Sequence, residues 1–575
     1  MKSIVKSIKI YKIYLIWTSI FVFIRFQIPP NPAFTASADD LLMVEIAKNL
    51  IEGNWLGNWL TGITYSGLTL SKPPGYPIYL VFSNLINIPP HVLLVIIYSI
   101  TNFVFVEFIW GKSKKENYLL FIILSANPVL YGDQFSRIYR DSLILVLVWI
   151  SIILTLSFLK LSSINNWLLS LKSFSILTLN FLIIGYLKIT KPDTTLFVSL
   201  FLISVILYVT YFSIKKLKNK YRIILTLFSF IILYWAVTNI FSVIISEKNQ
   251  KFYGVKLVQD QSSGELSNAW AQMARIRISK DPWNNYPISP KMIEFMSNEF
   301  NSFEKISAYL LNDNGWKQTN CIHGVQCTGS SGPWMQFELR DAAMSSGVKT
   351  PTQFQDLFKE ISLEIKDFCI KNQKSCYREA IFFGGPALDL NKLNIKGTFD
   401  SFFWSIKSML TFEVSSNREL ITKEKYGAYS GQINSFKQVI PSLKFRTKHI
   451  QFTSDAIYLQ QFTLFLKSLY NLVTNFAFLC LLFIILYRYF YMQKIINFLN
   501  DEFWITVLLF YFVVSSIFYG FIHANGWQML FGTEIYFLHY STTRILFVYL
   551  ILRSFLILIA KSNMINKSIH TGLKE

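Results

Sequence analysis

The chain has 575 residues, of which 52% are hydrophobic, 17% aromatic and only 15% charged. A soluble globular protein carries about a quarter charged residues, so an ordinary water-soluble enzyme is excluded. The formal net charge of +21 does not indicate a nucleic-acid groove either, because Lys and Arg cluster in short stretches between apolar runs, the positive-inside pattern of a membrane protein.

Taken in chain order, apolar segments fall at 10–28, 91–110, 118–131, 142–160, 174–190, 194–214, 222–246, 458–487, 503–523 and 538–560. A helix rises about 1.5 Å per residue and a hydrocarbon core is roughly 30 Å thick, so repeated runs near this length make an all-α polytopic membrane protein with about ten spans. The first run is too long for the apolar part of a cleaved signal and lacks a small-residue cleavage site, which makes it a retained signal anchor. Lys2, Lys6, Lys9 and Lys12 hold the N-terminus on the cytoplasmic side. Lys112, Lys114 and Lys115, then Lys215, Lys216, Lys218, Lys220 and Arg222, then Arg488 and Lys494, mark further cytoplasmic loops, and the Lys-containing tail is cytoplasmic too.

One apolar stretch breaks the count. GYPIYLVFSNLINI, residues 75–88, reaches only about 21 Å as a helix. As a full span it would invert every later loop and put the most basic ones outside. It is therefore expected to be a re-entrant or interfacial helix. Residues 247–455 then form one polar extracytoplasmic domain, with turn signals DPWNNYP and TGSSGPW and helical stretches at 291–311 and 352–371. The chain divides into a membrane module at 1–246 with a first outer loop at 29–74, this mostly helical domain at 247–455, and C-terminal membrane helices and a tail at 456–575.

Of five cysteines, Cys480 lies in an apolar run and reads as a core residue. Cys321, Cys327, Cys369 and Cys376 fall in the polar domain without CxxC spacing, and only His323 is near. Two local disulfides in an oxidising compartment, Cys321–Cys327 and Cys369–Cys376, are expected rather than a zinc site.

With this topology the unusual polar residues collect on the outer side. Asp39 and Asp40 follow the first span. Lys72, in TLSKPPGYP, precedes the re-entrant helix. Arg137, Arg140 and Asp141 occur in FSRIYRDSL, Lys188, Lys191 and Asp193 in LKITKPDTTLF, and Arg544 in HYSTTRILF. Charges at membrane depth are costly and mark sites or pathways. Each also has a plainer reading. Ser37-x-x-Asp40 is a capping-box pattern, and Asp141 suits a helix N-terminus. Lys72 can snorkel, Arg137 and Arg140 can hold lipid headgroups, and Lys191 and Asp193 can be loop charges. As a set they fit one chemistry. A carboxylate takes the proton of an acceptor hydroxyl as it attacks an activated carbon, while Lys and Arg hold a phosphate leaving group. A lipid-linked phosphosugar entering from the bilayer is the expected donor, since no Gly-rich phosphate loop occurs.

These motifs resemble the GT-C superfamily of integral-membrane glycosyltransferases, above all the protein mannosyltransferase and aminoarabinose lipid A transferase branch. That branch has an acid pair opening a juxtamembrane helix, a small-acid-Gly-x-Trp stretch and a Lys-Pro-Pro turn. Here these are Asp39-Asp40, the helix 41–52 ending in EGNW, and Lys72-Pro73-Pro74. RIYRDSLIL matches the family's second outer loop, and TTRILFVYLIL is similar to its late Arg-containing helix. The likeness covers about 1–250 well and 500–560 weakly. It implies a GT-C-like fold and inverting sugar transfer from a polyprenyl-phosphate donor to a glycan, lipid or protein acceptor. It implies Asp39 as catalytic base, Asp40 and Asp141 as supporting acids, and Lys72, Arg137, Arg140, Lys191 and Arg544 as substrate-binding residues. In this division of labour Asp40 holds the start of the helix and Asp39 faces the donor sugar. No cofactor is expected, although the acid pair with a distant Asp leaves a divalent cation open, as in oligosaccharyltransferase relatives. The insert at 247–455 departs from both named members. Its WMQFELRDAAMSSG and LEIKDFC are similar to a group of uncharacterised bacterial membrane proteins, which implies a bacterial plasma membrane. A polysaccharide polymerase or ligase stands as the alternative, although His323 and His539 are scattered. So does a non-catalytic scaffold or transporter.

Overall fold

The computed structural model describes residues 2–28, 30, 37–60, 68–110, 114–164, 171–216, 220–261, 263–278, 288–312, 332–377, 430–440 and isolated positions between 396 and 468. The expected spans at 503–523 and 538–560, and nearly all of that at 458–487, lie outside the described residues. So do Arg544, Cys321, Cys327, Cys480, His323 and His539.

Every regular element among the described residues is helical, and the one β-type contact is an isolated bridge between Ile276 and Cys376. Helix α1 runs Lys2–Gln27. A π-turn at Ser37–Leu41 leads into α2, Leu42–Ile51. Then come α3 (Gly75–Leu85), α4 (Pro90–Val104, continued by a π-segment Phe105–Trp110), α5 (Lys114–Ser125), the short α6 (Asp133–Ser136), α7 (Asp141–Ile164), α8 (Leu171–Lys188), α9 (Pro192–Lys216) and α10 (Lys220–Tyr253). Among the described residues, three stretches are long and apolar enough to cross a membrane: Pro90–Phe108, Asp141–Leu161 and Leu227–Tyr253.

One sequence expectation changes in this part. The expected span at 118–131 is broken, because α5 stops at Ser125 and a 3-10 turn follows at Pro128–Tyr131. Pro128 forces the preceding Asn127 into extended backbone (φ −52°, ψ 119°), and the Asn127 side chain then accepts from the Val129 N–H at 3.1 Å. The short stretch after Lys72 forms a helix of only 11 residues, about 16 Å long and well under the hydrocarbon thickness.

The helices are joined by buried polar contacts. Trp149 Nε1 on α7 donates to Asn102 Oδ1 on α4 at 2.8 Å, and Asn102 Nδ2 donates to Ser125 Oγ on α5 at 3.1 Å. Asn180 Nδ2 on α8 reaches Thr155 Oγ1 on α7 at 2.8 Å. Lipid is as apolar as Leu, so packing and such bonds, each worth about 0.6 kcal/mol, hold helices together where burial from water does not. Most of α7 is buried, whereas α10 leaves Leu225, Phe228, Ile231 and Trp235 exposed. An apolar helix with an exposed apolar face suits contact with lipid.

Beyond α10 come α11 (Glu265–Met273), α12 (Pro290–Glu299), α13 (Asn301–Leu311), α14 (Gly332–Ser345) and α15 (Pro351–Lys371). The expected single helix at 291–311 is split at Phe300, whose backbone is extended (φ −127°, ψ 113°) while its ring packs edge-on against Phe295 and Phe368. Thr350 caps α15 by accepting from the Gln353 N–H at 3.2 Å. A disulfide joins Cys369 to Cys376.

This second core also takes in the segment between α1 and α3. Leu42, Ile46, Trp55, Trp59, Leu68 and Leu70 are buried in it beside Met273, Phe303 and Phe358. Trp55 has a left-handed backbone (φ +53°), a conformation costing about 1–3 kcal/mol for a bulky residue. Its indole N–H donates to Asn249 Oδ1 at 2.8 Å, and the Lys248 ammonium lies 4.5 Å from its ring centre. These contacts from the end of α10 hold the strained turn. A last helix, α16 (Ser430–Val439), buries Phe436 and Val439 in the membrane-module core, and Asn84 Nδ2 on α3 donates to the Val439 carbonyl at 2.8 Å.

Candidate active site

The site grows from the π-turn Ser37–Leu41, which sends its two carboxylates to different partners. Asp40 is fully buried. It accepts from Arg137 Nε at 3.0 Å, from Arg137 Nη2 at 2.5 Å and from the Ile138 N–H at 3.1 Å. These partners are a guanidinium and an amide 97 and 98 residues away, so Asp40 joins the turn to a distant loop; the Ser37 side chain of the expected cap lies outside the described residues. A charged clamp of this kind is about twice as strong as a neutral hydrogen bond.

Asp39 is the more accessible of the pair, with a third of its side chain exposed. One carboxylate oxygen receives Lys72 Nζ, and the other lies 3.5 Å from Arg137 Nη2. Burial raises the tendency of Asp39 to hold a proton, but Lys72 and then Arg137 outweigh it and hold the carboxyl well below the usual carboxylate range. Burial likewise lowers the Lys72 ammonium, and Asp39 offsets part of that. Burial opposes the Arg137 charge, yet Asp40 and Asp39 more than restore it.

Tyr139 sits at the centre of the cations. Lys72 Nζ donates to its hydroxyl at 3.0 Å. Lys72 Nζ and the Arg137 and Arg140 guanidinium carbons lie 4.9, 5.0 and 5.3 Å from its ring centre. An aromatic face is attractive to cations at such distances, so one ring gathers three positive side chains without needing three anions. Asp141 opens α7, where a carboxylate suits the helix dipole, and Lys191 Nζ reaches its Oδ1 at 3.4 Å. Asp141 Oδ2 is buried and accepts no hydrogen bond among the described residues.

The Lys72 and Lys191 turns touch through Gly75. Its N–H donates to the Ile189 carbonyl at 2.8 Å, and its carbonyl accepts from the Tyr186 hydroxyl at 2.7 Å. A Cβ at position 75 would lie 2.6 Å from the Ile189 carbonyl oxygen, a backbone atom that cannot swing away. Gly75→Ala is therefore expected to cost about 1–3 kcal/mol and to lower the thermal midpoint of the solubilised protein. An unchanged midpoint would mean that the two turns separate without cost.

Of the residues expected from sequence, Lys72, Arg137 and Arg140 gather at Tyr139, with Asp39 on Lys72 and Arg137 and Asp40 on Arg137. Asp141 and Lys191 form a neighbouring pair, while Arg544 and the side chain of Asp193 lie outside the described residues. Lys188 turns elsewhere, donating to Asn239 Oδ1 at 2.7 Å. Tyr139 and Gly75 escaped the sequence reading. The signal for Tyr139 was an aromatic placed between two arginines in RIYRD. Among the described residues no group of three or more His, Cys, Asp or Glu side chains is arranged to hold a metal. No protein-family model, curated protein or solved structure matches the chain.

Proposed function

We propose that the chain is an integral-membrane glycosyltransferase of GT-C type, which moves a sugar from a polyprenyl-phosphate carrier to an acceptor hydroxyl on the extracytoplasmic face. The observation that carries this reading is the contact of one partly exposed carboxylate, Asp39, with two buried cations, Lys72 and Arg137. A carboxylate next to phosphate-binding cations puts a proton acceptor within reach of the bond that must break. Among the described side chains, the four cations Lys72, Arg137, Arg140 and Lys191 stand beside the three carboxylates Asp39, Asp40 and Asp141, and a cluster of cations of this kind attracts an anionic ligand.

In this reading the acceptor oxygen bonds to the anomeric carbon as the carbon–oxygen bond to phosphate breaks. The bonding pair leaves on the phosphate oxygen, where Lys72 and Arg137 stabilise it, and the hydroxyl proton passes to Asp39. Direct displacement inverts the anomeric centre. Asp40 holds Arg137, and Asp141 holds Lys191, so each acid other than Asp39 aims a cation. The exposed apolar face of α10 supports a lipid setting, and the short α3 supports a helix that does not cross it; the ten-span count and the cytoplasmic termini belong to the same proposal. The Cys369–Cys376 bond supports an oxidising, extracytoplasmic setting for 247–455.

The test compares lipid-linked sugars in a deletion strain and in a strain carrying Asp39→Asn. The same polyprenyl-phosphosugar is expected to accumulate in both. Normal pools in the Asp39→Asn strain, beside an altered pool in the deletion strain, would remove Asp39 from the chemistry.

A further inference from the structure

The turn that carries Lys72 is fastened at its far side to the domain beyond α10. Leu68, Leu70 and Ser71 are buried. The turn closes on the Leu68 carbonyl, which accepts from the Ser71 N–H at 2.9 Å and from Ser71 Oγ at 2.7 Å. The next carbonyl available, that of Leu70, accepts from the backbone N–H of Asp260 at 2.9 Å. Asp260 in turn is locked by its side chain. Both its carboxylate oxygens receive Arg340, one of them from Nη1 at 2.8 Å, and both residues are essentially fully buried. The Arg340 guanidinium lies 5.2 Å from the centre of the Phe354 ring, which packs edge-on against Trp59 of the same outer loop at 5.7 Å. The loop is thus gripped at Trp59 and at Leu70 by one ion pair and its aromatic neighbour.

A buried ion pair is weak evidence for stability, because removing two charges from water costs about as much as their attraction returns, and its best-attested use is to fix register. Here the register it fixes is that of residue 70, two positions before Lys72. We infer that Asp260 and Arg340 are positioning residues for Lys72, so that the domain following α10 sets the cation that meets the donor phosphate. The placement of Lys72 follows from the contacts above. Its consequence for transfer rests on the function proposed in the preceding section, where a misplacement of about 1 Å costs on the order of a hundredfold in rate.

The test uses the full chain in lipid nanodiscs and an amine-acetylating reagent, with acetylation read by mass spectrometry at Lys72 and, as internal reference, at Lys191. Both amines are nearly buried. In Asp260→Asn the acetylation rate at Lys72 is expected to rise about fivefold or more through local opening, while that at Lys191 stays as in the unaltered chain. Arg340→Lys keeps the charge but loses the two-pronged grip, so it gives the same selective rise where Asp260→Asn folds poorly. An unchanged rate at Lys72, or a rise shared equally by Lys191, would overturn the inference. Decaprenyl phosphate binding to the same samples separates the two readings. Affinity should fall about tenfold in Asp260→Asn, and Lys72→Met with Asp260→Asn should bind no more weakly than Lys72→Met alone. Selective acetylation without decaprenyl phosphate binding by the unaltered chain leaves the positioning contact standing and removes the donor reading.

Discussion

Asp39→Asn is expected to lower sugar transfer by about a thousandfold, within the range of a lost general base, while donor binding becomes tighter. The two effects have opposite signs for one reason. At rest the Asp39 carboxylate occupies Lys72 and touches Arg137, so it competes with phosphate for the same cations. The amide keeps the shape but gives up the charge, which frees the cations. A partly exposed ion pair is worth up to about 1 kcal/mol, so decaprenyl phosphate should bind up to about fivefold more tightly. On the proposed function the same competition would let donor binding switch the base on, because a phosphate drawing Lys72 and Arg137 away lets Asp39 regain proton affinity. The pH profile carries the sign. A carboxyl held below its ordinary range stays ionised to lower pH, so the acidic fall-off of kcat/KM lies below the usual carboxylate range. In Lys72→Met that fall-off should move upward. Transfer rates at wild-type level in purified Asp39→Asn, or weaker donor binding by it, would contradict the assignment.

The parts of this site that were legible in the sequence are those with local chemistry. Apolar runs located α1, α4, α7, α8, α9 and α10, and the Lys-Pro-Pro turn and the short run after it pointed to a helix that cannot span. What the sequence hid were chiefly contacts with distant partners. Ser37-x-x-Asp40 fits a helix cap by spacing, and that local pattern gives no hint that Asp40 also holds Arg137 in a charged, two-point contact. The run at 118–131 is mostly apolar, but Pro128 decides its backbone. Gly75 escaped the sequence reading because its reason is the carbonyl of Ile189, 114 positions on in sequence. Asp260 was unremarkable in sequence, since nothing in DQSSGE announces Leu70 or Arg340.

The second large effect belongs to stability. Asp40→Ala is expected to destabilise the chain by about 3–5 kcal/mol, because it strands a nearly buried guanidinium and leaves the Ile138 amide without its acceptor. Asp39 cannot replace it, since its one contact with Arg137 is at 3.5 Å and its other oxygen is held by Lys72. The cost comes from the orphaned charge rather than from the loss of a strong bond, and that distinction is testable. Asp40→Leu combined with Arg137→Met removes both charges and fills the volume, so it should recover more than half of the lost thermal midpoint. Its transfer activity should remain absent, because Arg137 is gone from the phosphate side of Asp39. A double variant no more stable than Asp40→Ala would mean that the pair contributes geometry beyond its charge balance. An Asp40→Ala midpoint equal to wild type would mean that the clamp on the loop at 137–138 is not needed for folding at all.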